Sequence, residues 1–141
     1  MEQSWGYEVD EMGHRPYPVA VATVRIPDRR NPRRTRDDIK CLVDSGSDTS
    51  GMPVRFLNRL GVTSGWEEDI TDFFGETKKR EVCHVRMSLC GRDCKIVKVV
   101  RLRKAPLLGK TPLGILGRDV LNDFRVVLDP QKGPKGRCEI E

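Results

Sequence analysis

A strand that sheds its polar residues as it runs into a carboxylate restricts this chain more than any other feature. Asp38-Ile39-Lys40 alternates polar and apolar, and Cys41-Leu42-Val43 is then wholly apolar up to Asp44-Ser45-Gly46. Such a run carries Asp44 toward the interior, where a lone carboxylate has to be paired or neutralised. Asp, Ser and Gly in succession also suit a surface turn. Two further features weigh against the turn. After the loop at 44–51, Pro53 opens a short amphipathic helix carrying Val54, Leu57 and Leu60, which Gly61 stops. Far downstream a second apolar run, Leu113-Gly114-Ile115-Leu116-Gly117, closes on glycine and leads into a short helix at Arg118–Asp123.

The remainder of the chain reads as mostly β. Val19-Ala20-Val21-Ala22-Thr23-Val24-Arg25-Ile26 alternates with β-branched residues and predicts a strand over 18–27. It forms a hairpin with 38–43, and the arginine-rich stretch at 28–36 is the tip. Residues 66–73 are weakly strand-like, 74–79 make a second hairpin tip, and 80–90 alternates through Val82, His84, Arg86 and Ser88. Strands at 94–102 and 124–128 follow, the first after a tight Cys90-Gly91-Arg92-Asp93 turn, with a loop over 104–112 between them. There is no internal repeat. The organisation is therefore an N-terminal arm over 1–17, one domain over 18–130, and a flexible C-terminal tail over 131–141, rich in Gly, Pro and Lys.

At 141 residues the chain suits one domain. Its 37% hydrophobic content supports a modest core, to which dimerisation would add burial. No stretch approaches the ~18 apolar residues of a membrane span, and Met1-Glu2-Gln3-Ser4-Trp5-Gly6 lacks the apolar core of a signal peptide. Five cysteines, at 41, 83, 90, 94 and 138, form no regular framework and read as thiols in a reducing compartment. The expectation is a soluble cytoplasmic protein without structural disulfides.

Leu42-Val43-Asp44-Ser45-Gly46-Ser47-Asp48-Thr49, together with Gly114-Ile115-Leu116-Gly117-Arg118-Asp119-Val120-Leu121, resembles the retropepsin-like, or retroviral-type, aspartic proteases. The resemblance covers residues 18 to 130. It implies an all-β acid-protease fold: a small closed barrel-like domain with one or two short helices, active as a homodimer. It also implies an endopeptidase that hydrolyses an extended peptide or protein substrate. In that chemistry two carboxylates held together share one proton, one acting as base on the attacking water and the other as acid. This chain has one Asp-Ser-Gly, so Asp44 would pair with its symmetry mate across a two-fold axis.

The resemblance further assigns the catalytic role to Asp44 and makes Ser45 and Gly46 the active-site loop. Ser45 bonds the partner's equivalent loop, and Gly46 lets substrate backbone pass close to the aspartate. Asp48 contacts substrate backbone, and Arg118 pairs with Asp48 and steadies the dimer. Ser47 stands where the family often has alanine. The substrate-covering flap is centred near Gly75, and Phe74-Gly75-Glu76-Thr77-Lys78-Lys79 departs from the glycine-richer viral flaps. Leu42, Ile115 and Leu116 are core candidates near the site.

Other signals are weaker. Cys83, His84, Cys90 and Cys94 lack the two separated ligand pairs of a zinc site, so no metal and no organic cofactor are expected. The basic stretch at 29–36 lacks aromatic interleaving and reads as a solvated loop more readily than as a nucleic-acid contact. Its other use would be an acidic partner. The alternative to a protease is a retropepsin-fold module that dimerises or binds peptides and proteins without cutting. The loose ends suit both a free-standing protein and a domain excised from a polyprotein.

Overall fold

Alternation in the first long segment becomes a strand with a dry face. In the computed structural model, which describes residues 3–6, 18–27, 36–71, 74–129 and 137–141, strand β2 (Val19–Arg25) turns Ala20, Ala22 and Val24 fully inward. It follows β1 (Gln3–Gly6) and pairs antiparallel with β3 (Arg36–Val43), from Val19 opposite Leu42 to Arg25 opposite Arg36. Most of the basic stretch between them lies outside the described residues.

The barrel grows from β3 outward. Strand β4 (Gly51–Pro53) leads into helix α1 (Val54–Arg59), where Pro53 sits at the helix entrance as the sequence predicts. Next come β5 (Trp66–Thr71), β6 (Thr77–Leu89), β7 (Arg92–Leu102), a miniature hairpin of β8 (Leu107–Leu108) and β9 (Thr111–Pro112), and β10 (Gly114–Leu116). The miniature hairpin lies where the sequence suggested an unstructured loop. Parallel pairing sets β10 beside β3, with Gly114 opposite Cys41 and Leu116 opposite Val43. From there the order runs β10-β4-β7-β6, and β6 returns to β2 through Thr23–Ser88, Val24–Met87 and Arg25–Arg86. Six strands thus close on themselves, which removes the exposed edges an open sheet would leave. Strand β5 extends from β6 as the outer arm of a hairpin. A register shift between Arg86 and Ser88 adds the local bend that closure requires.

Ile39, Met52, Leu57, Val85, Met87 and Leu116 are almost wholly buried inside this ring. Arg101 is buried with them, and its charge is met by Glu81. Its guanidinium also donates to the Val62 carbonyl at 2.7 Å and to Asn58 Oδ1 at 3.1 Å, tying the end of α1 to β7. The all-β class, the closed barrel and the two short helices agree with the sequence reading.

The chain ends differ from it. After α2 (Arg118–Leu121), strand β11 (Val126–Asp129) pairs with β12 (Arg137–Ile140), and β12 pairs with β1, from Gln3 opposite Ile140 to Gly6 opposite Arg137. Residues 137–140 are therefore part of the folded domain, not of a flexible tail. Cys138 and Ile140 are wholly buried, and the Cys90 thiol donates to the Ile140 carbonyl at 3.2 Å. The Gly, Pro and Lys before residue 137 hide this strand in the sequence, because four residues are too few to display a period. Ile140→Ala is expected to lower the unfolding free energy by about 2–4 kcal/mol in urea denaturation. A flexible tail would leave the midpoint unchanged.

Candidate active site

Asp44 emerges where the parallel strands β3 and β10 end side by side, its backbone N–H donating to the Leu116 carbonyl at 2.9 Å. The strand ends leave Asp44 half-buried, short of the interior position that the sequence suggested. Val43 is buried and Asp44 is half-buried at the floor of an open groove of about 590 Å³. The groove is lined by Asp44, Gly46 and Asp48 on the floor and by Ile70, Thr71 and Arg80 of the β5–β6 hairpin on the facing wall.

The loop at 44–50 is held by its own backbone and by the second apolar segment. Asp44 Oδ1 accepts the Gly46 N–H at 3.0 Å, and the Asp44 carbonyl accepts the Ser47 N–H at 3.1 Å. The Arg118 N–H donates to the Ser47 carbonyl at 2.7 Å. Ser50 is wholly buried between loop and helix. Its hydroxyl donates to Asp119 Oδ1 at 2.6 Å and accepts the Gly117 N–H at 2.9 Å, while its own N–H reaches Asp119 Oδ2 at 3.0 Å. Asp119 Oδ1 also accepts the Val120 N–H at 2.9 Å, a third donor for this carboxylate, which ties the loop to α2. Gly117 is required for the approach: a Cβ there would lie 2.8 Å from the Ser47 carbonyl oxygen and 2.9 Å from the Thr49 carbonyl carbon.

The sequence-predicted residues fall around this loop. Gly46 and Asp48 line the groove beside Asp44, and Ser45 is exposed next to them. Arg118 forms an ion pair with Asp48, with the two side chains 47% and 72% exposed. Gly75 is at the tip of the β5–β6 hairpin in a left-handed conformation, φ 83°, exposed and beside the exposed Phe74. Leu116 is wholly buried, whereas Ile115 is half-buried and lines the groove. Ser50 and Asp119 were missed. Their signal was present as a serine leaving the turn and an acid in the first turn of a helix, but nothing in the sequence linked positions so far apart.

Burial pushes the Cys41 thiol up to about 12 and the Cys138 thiol up to about 11, and it raises Cys83 as well. Cys83 points inward while His84 is exposed with its ring edge-on to Trp66 at 4.8 Å, the opposite faces expected of consecutive strand residues. Among the described residues no three His, Cys, Asp or Glu side chains gather as they would around a metal ion. The Cys94 side chain is not among them. No helix is long and apolar enough to cross a membrane among the described residues.

No protein-family model matches the sequence, and no curated protein matches it. Solved structures do. A retropepsin-like aspartic protease from Rickettsia conorii superposes with a TM-score of 0.59 over 99% of this chain and 91% of its own, at 16% identity. The fold is retropepsin-like. EIAV protease complexed with the inhibitor HBY-793 also matches, with a TM-score of 0.46 at 22% identity over 82% of this chain and 93% of its own. The retropepsin-like architecture places the Asp44 loop at the meeting of β3, β10 and β4, and its hairpin at β5–β6 overhangs the groove.

Asp119→Ala is expected to lower stability by about 1–3 kcal/mol, since it leaves the buried Ser50 hydroxyl and N–H without their acceptor; thermal and urea unfolding measure it. For Cys41, the raised pKa leaves about one thiolate in ten thousand at pH 8. Iodoacetamide applied to the native protein should therefore leave Cys41 unmodified by peptide mass spectrometry, while the denatured protein reacts fully.

Proposed function

We propose that this protein is an aspartic endopeptidase in which two copies of the chain form one active site. The observation that carries this reading is the half-buried Asp44 carboxylate on the floor of an open groove, its loop fixed by a dedicated hydrogen-bond network. One such aspartate per chain supplies half of a shared-proton pair. Asp48, the other carboxylate on the groove floor, is engaged by Arg118.

In a dimer related by a two-fold axis, two Asp44 side chains meet and retain one proton between them, because adjacent like charges disfavour double ionisation. The ionised carboxylate takes a proton from a water, which attacks the scissile carbonyl. The protonated partner gives its proton to the carbonyl oxygen, and collapse of the tetrahedral species passes a proton to the departing amine. Gly46 leaves room for substrate backbone beside the carboxylates, and Asp48 is placed to accept a substrate N–H. The β5–β6 hairpin, with Gly75 at its tip, closes over an extended peptide. No metal or organic cofactor takes part in these steps.

Cleavage of a mixed peptide library across roughly pH 4–7, the range over which such a pair titrates, tests this. Wild type should cut, and Asp44→Asn should lose at least ~10³-fold in rate while sedimenting as the same dimer. Specific activity should fall on dilution as protomers separate. A dimeric wild type that cuts nothing would assign the groove to a non-catalytic peptide-binding module.

A further inference from the structure

Beside the Asp44 groove lies a second groove of similar size, about 590 Å³, walled by α1 on one side and by the segment carrying β8 and β9 on the other. Pro53, Val54, Leu102, Ala105, Leu107 and Pro112 give it an apolar lining, and Leu107 is 57% exposed at its edge. Three cations, Arg55, Arg103 and Lys104, share that lining, with no aspartate or glutamate among the residues that form it. Among the described residues Arg55 and Lys104 have no ion-pair partner, and Arg103 has only a 3.6 Å contact with Glu81 while remaining 78% exposed. Leu102 and Lys104 belong to both grooves, so the second is continuous with the first. Arg80 on the facing wall of the Asp44 groove adds another cation without an ion-pair partner among the described residues.

We propose that this second groove is a substrate-docking site that selects proteins or peptides carrying an acidic segment with interspersed aliphatic residues next to the bond to be cut. The inference rests on the protease reading and names its substrate class. Continuity through Leu102 and Lys104 lets one extended chain occupy both grooves. Apolar side chains of that segment cover Leu107 and Pro112, and its carboxylates meet Arg55, Arg103 and Lys104. A nucleic acid fits less well, because the lining offers no aromatic ring on which a base could stack. Several exposed ion pairs, each weak alone, together give about a 5- to 10-fold preference at low ionic strength. They also act against lysine-rich segments by repulsion.

The test measures binding on full-length Asp44→Asn, so that it does not depend on cleavage. Two fluorescein-labelled peptides of equal length and leucine content, one glutamate-rich and one lysine-rich, are titrated by anisotropy. The glutamate-rich peptide should bind about 5- to 10-fold tighter, and the preference should shrink toward unity at about 0.5 M salt. Arg55→Glu with Arg103→Glu should remove the preference, and Leu107→Ser should weaken the glutamate-rich peptide. The readout is a ratio on each protein, so a general loss of binding cancels. If the charge-reversed protein does not melt cooperatively, Arg55→Gln with Arg103→Gln supplies the same comparison. Equal binding of the two peptides, or a preference that survives charge reversal, overturns the proposal. So does displacement of the peptide by a single-stranded oligonucleotide at lower concentration than by unlabelled peptide. Wild-type cleavage with no preference for acidic substrates would overturn it while leaving the protease reading standing.

Discussion

The hydrogen bonds that the wholly buried Ser50 makes to Asp119 and Gly117 hold together what the rest of the barrel only brings near. Strands β3, β10 and β4 meet at the Asp44 loop, yet strand pairing alone leaves the loop's path between Val43 and Gly51 open to many conformations. The Asp119 carboxylate takes three donors, two of them from the wholly buried Ser50, and this leaves one path satisfied, since a buried donor left unmet is costly. The position of Asp44 is therefore set from the far side of the chain, by the helix that follows the second apolar segment. This explains why both segments are needed for the groove floor, although only one of them carries the carboxylate that lies in it.

Much of this was legible in the sequence because it is written locally. The alternation at 19–26, the apolar run into Asp44, Pro53 at a helix start and the short helix at Arg118 each obey a period or an end rule that a few residues can display. Asp48 and Arg118 were paired only through a resemblance between two distant motifs, and the structure brings them into contact. What stayed hidden depends on tertiary company. Residues 137–140 lie beyond a stretch of turn and charged residues, and only the partners β1 and β11 make a strand of them. Asp44 itself was expected inside, because the apolar run was read without its end. A strand that stops at a sheet border delivers its next side chain to a cleft.

Charge is distributed unevenly over the surface this leaves. Asp44 and Asp48 lie on the groove floor and cations on its facing wall and continuation, so the charged residues lining the two grooves change sign from one to the other. The floor residues are constrained by hydrogen bonds to loop and helix, whereas Arg55, Lys104 and Leu107 stand on exposed positions with few structural duties. Under the proposed protease reading, preference for one substrate over another can thus change by surface substitution without disturbing the loop that carries Asp44.

The three-stranded sheet built from both ends has a consequence for how the molecule comes into being. Synthesis is vectorial, and the barrel strands are all made well before β12. Cys138 and Ile140, wholly buried in the finished domain, are among the last of the described residues to appear. Until they do, β1 lacks β12, its strand partner among the described residues, and the apolar surface that they cover stays wet. A nascent chain can close its barrel early, but the domain becomes complete only once residue 140 is free to reach back to residue 3.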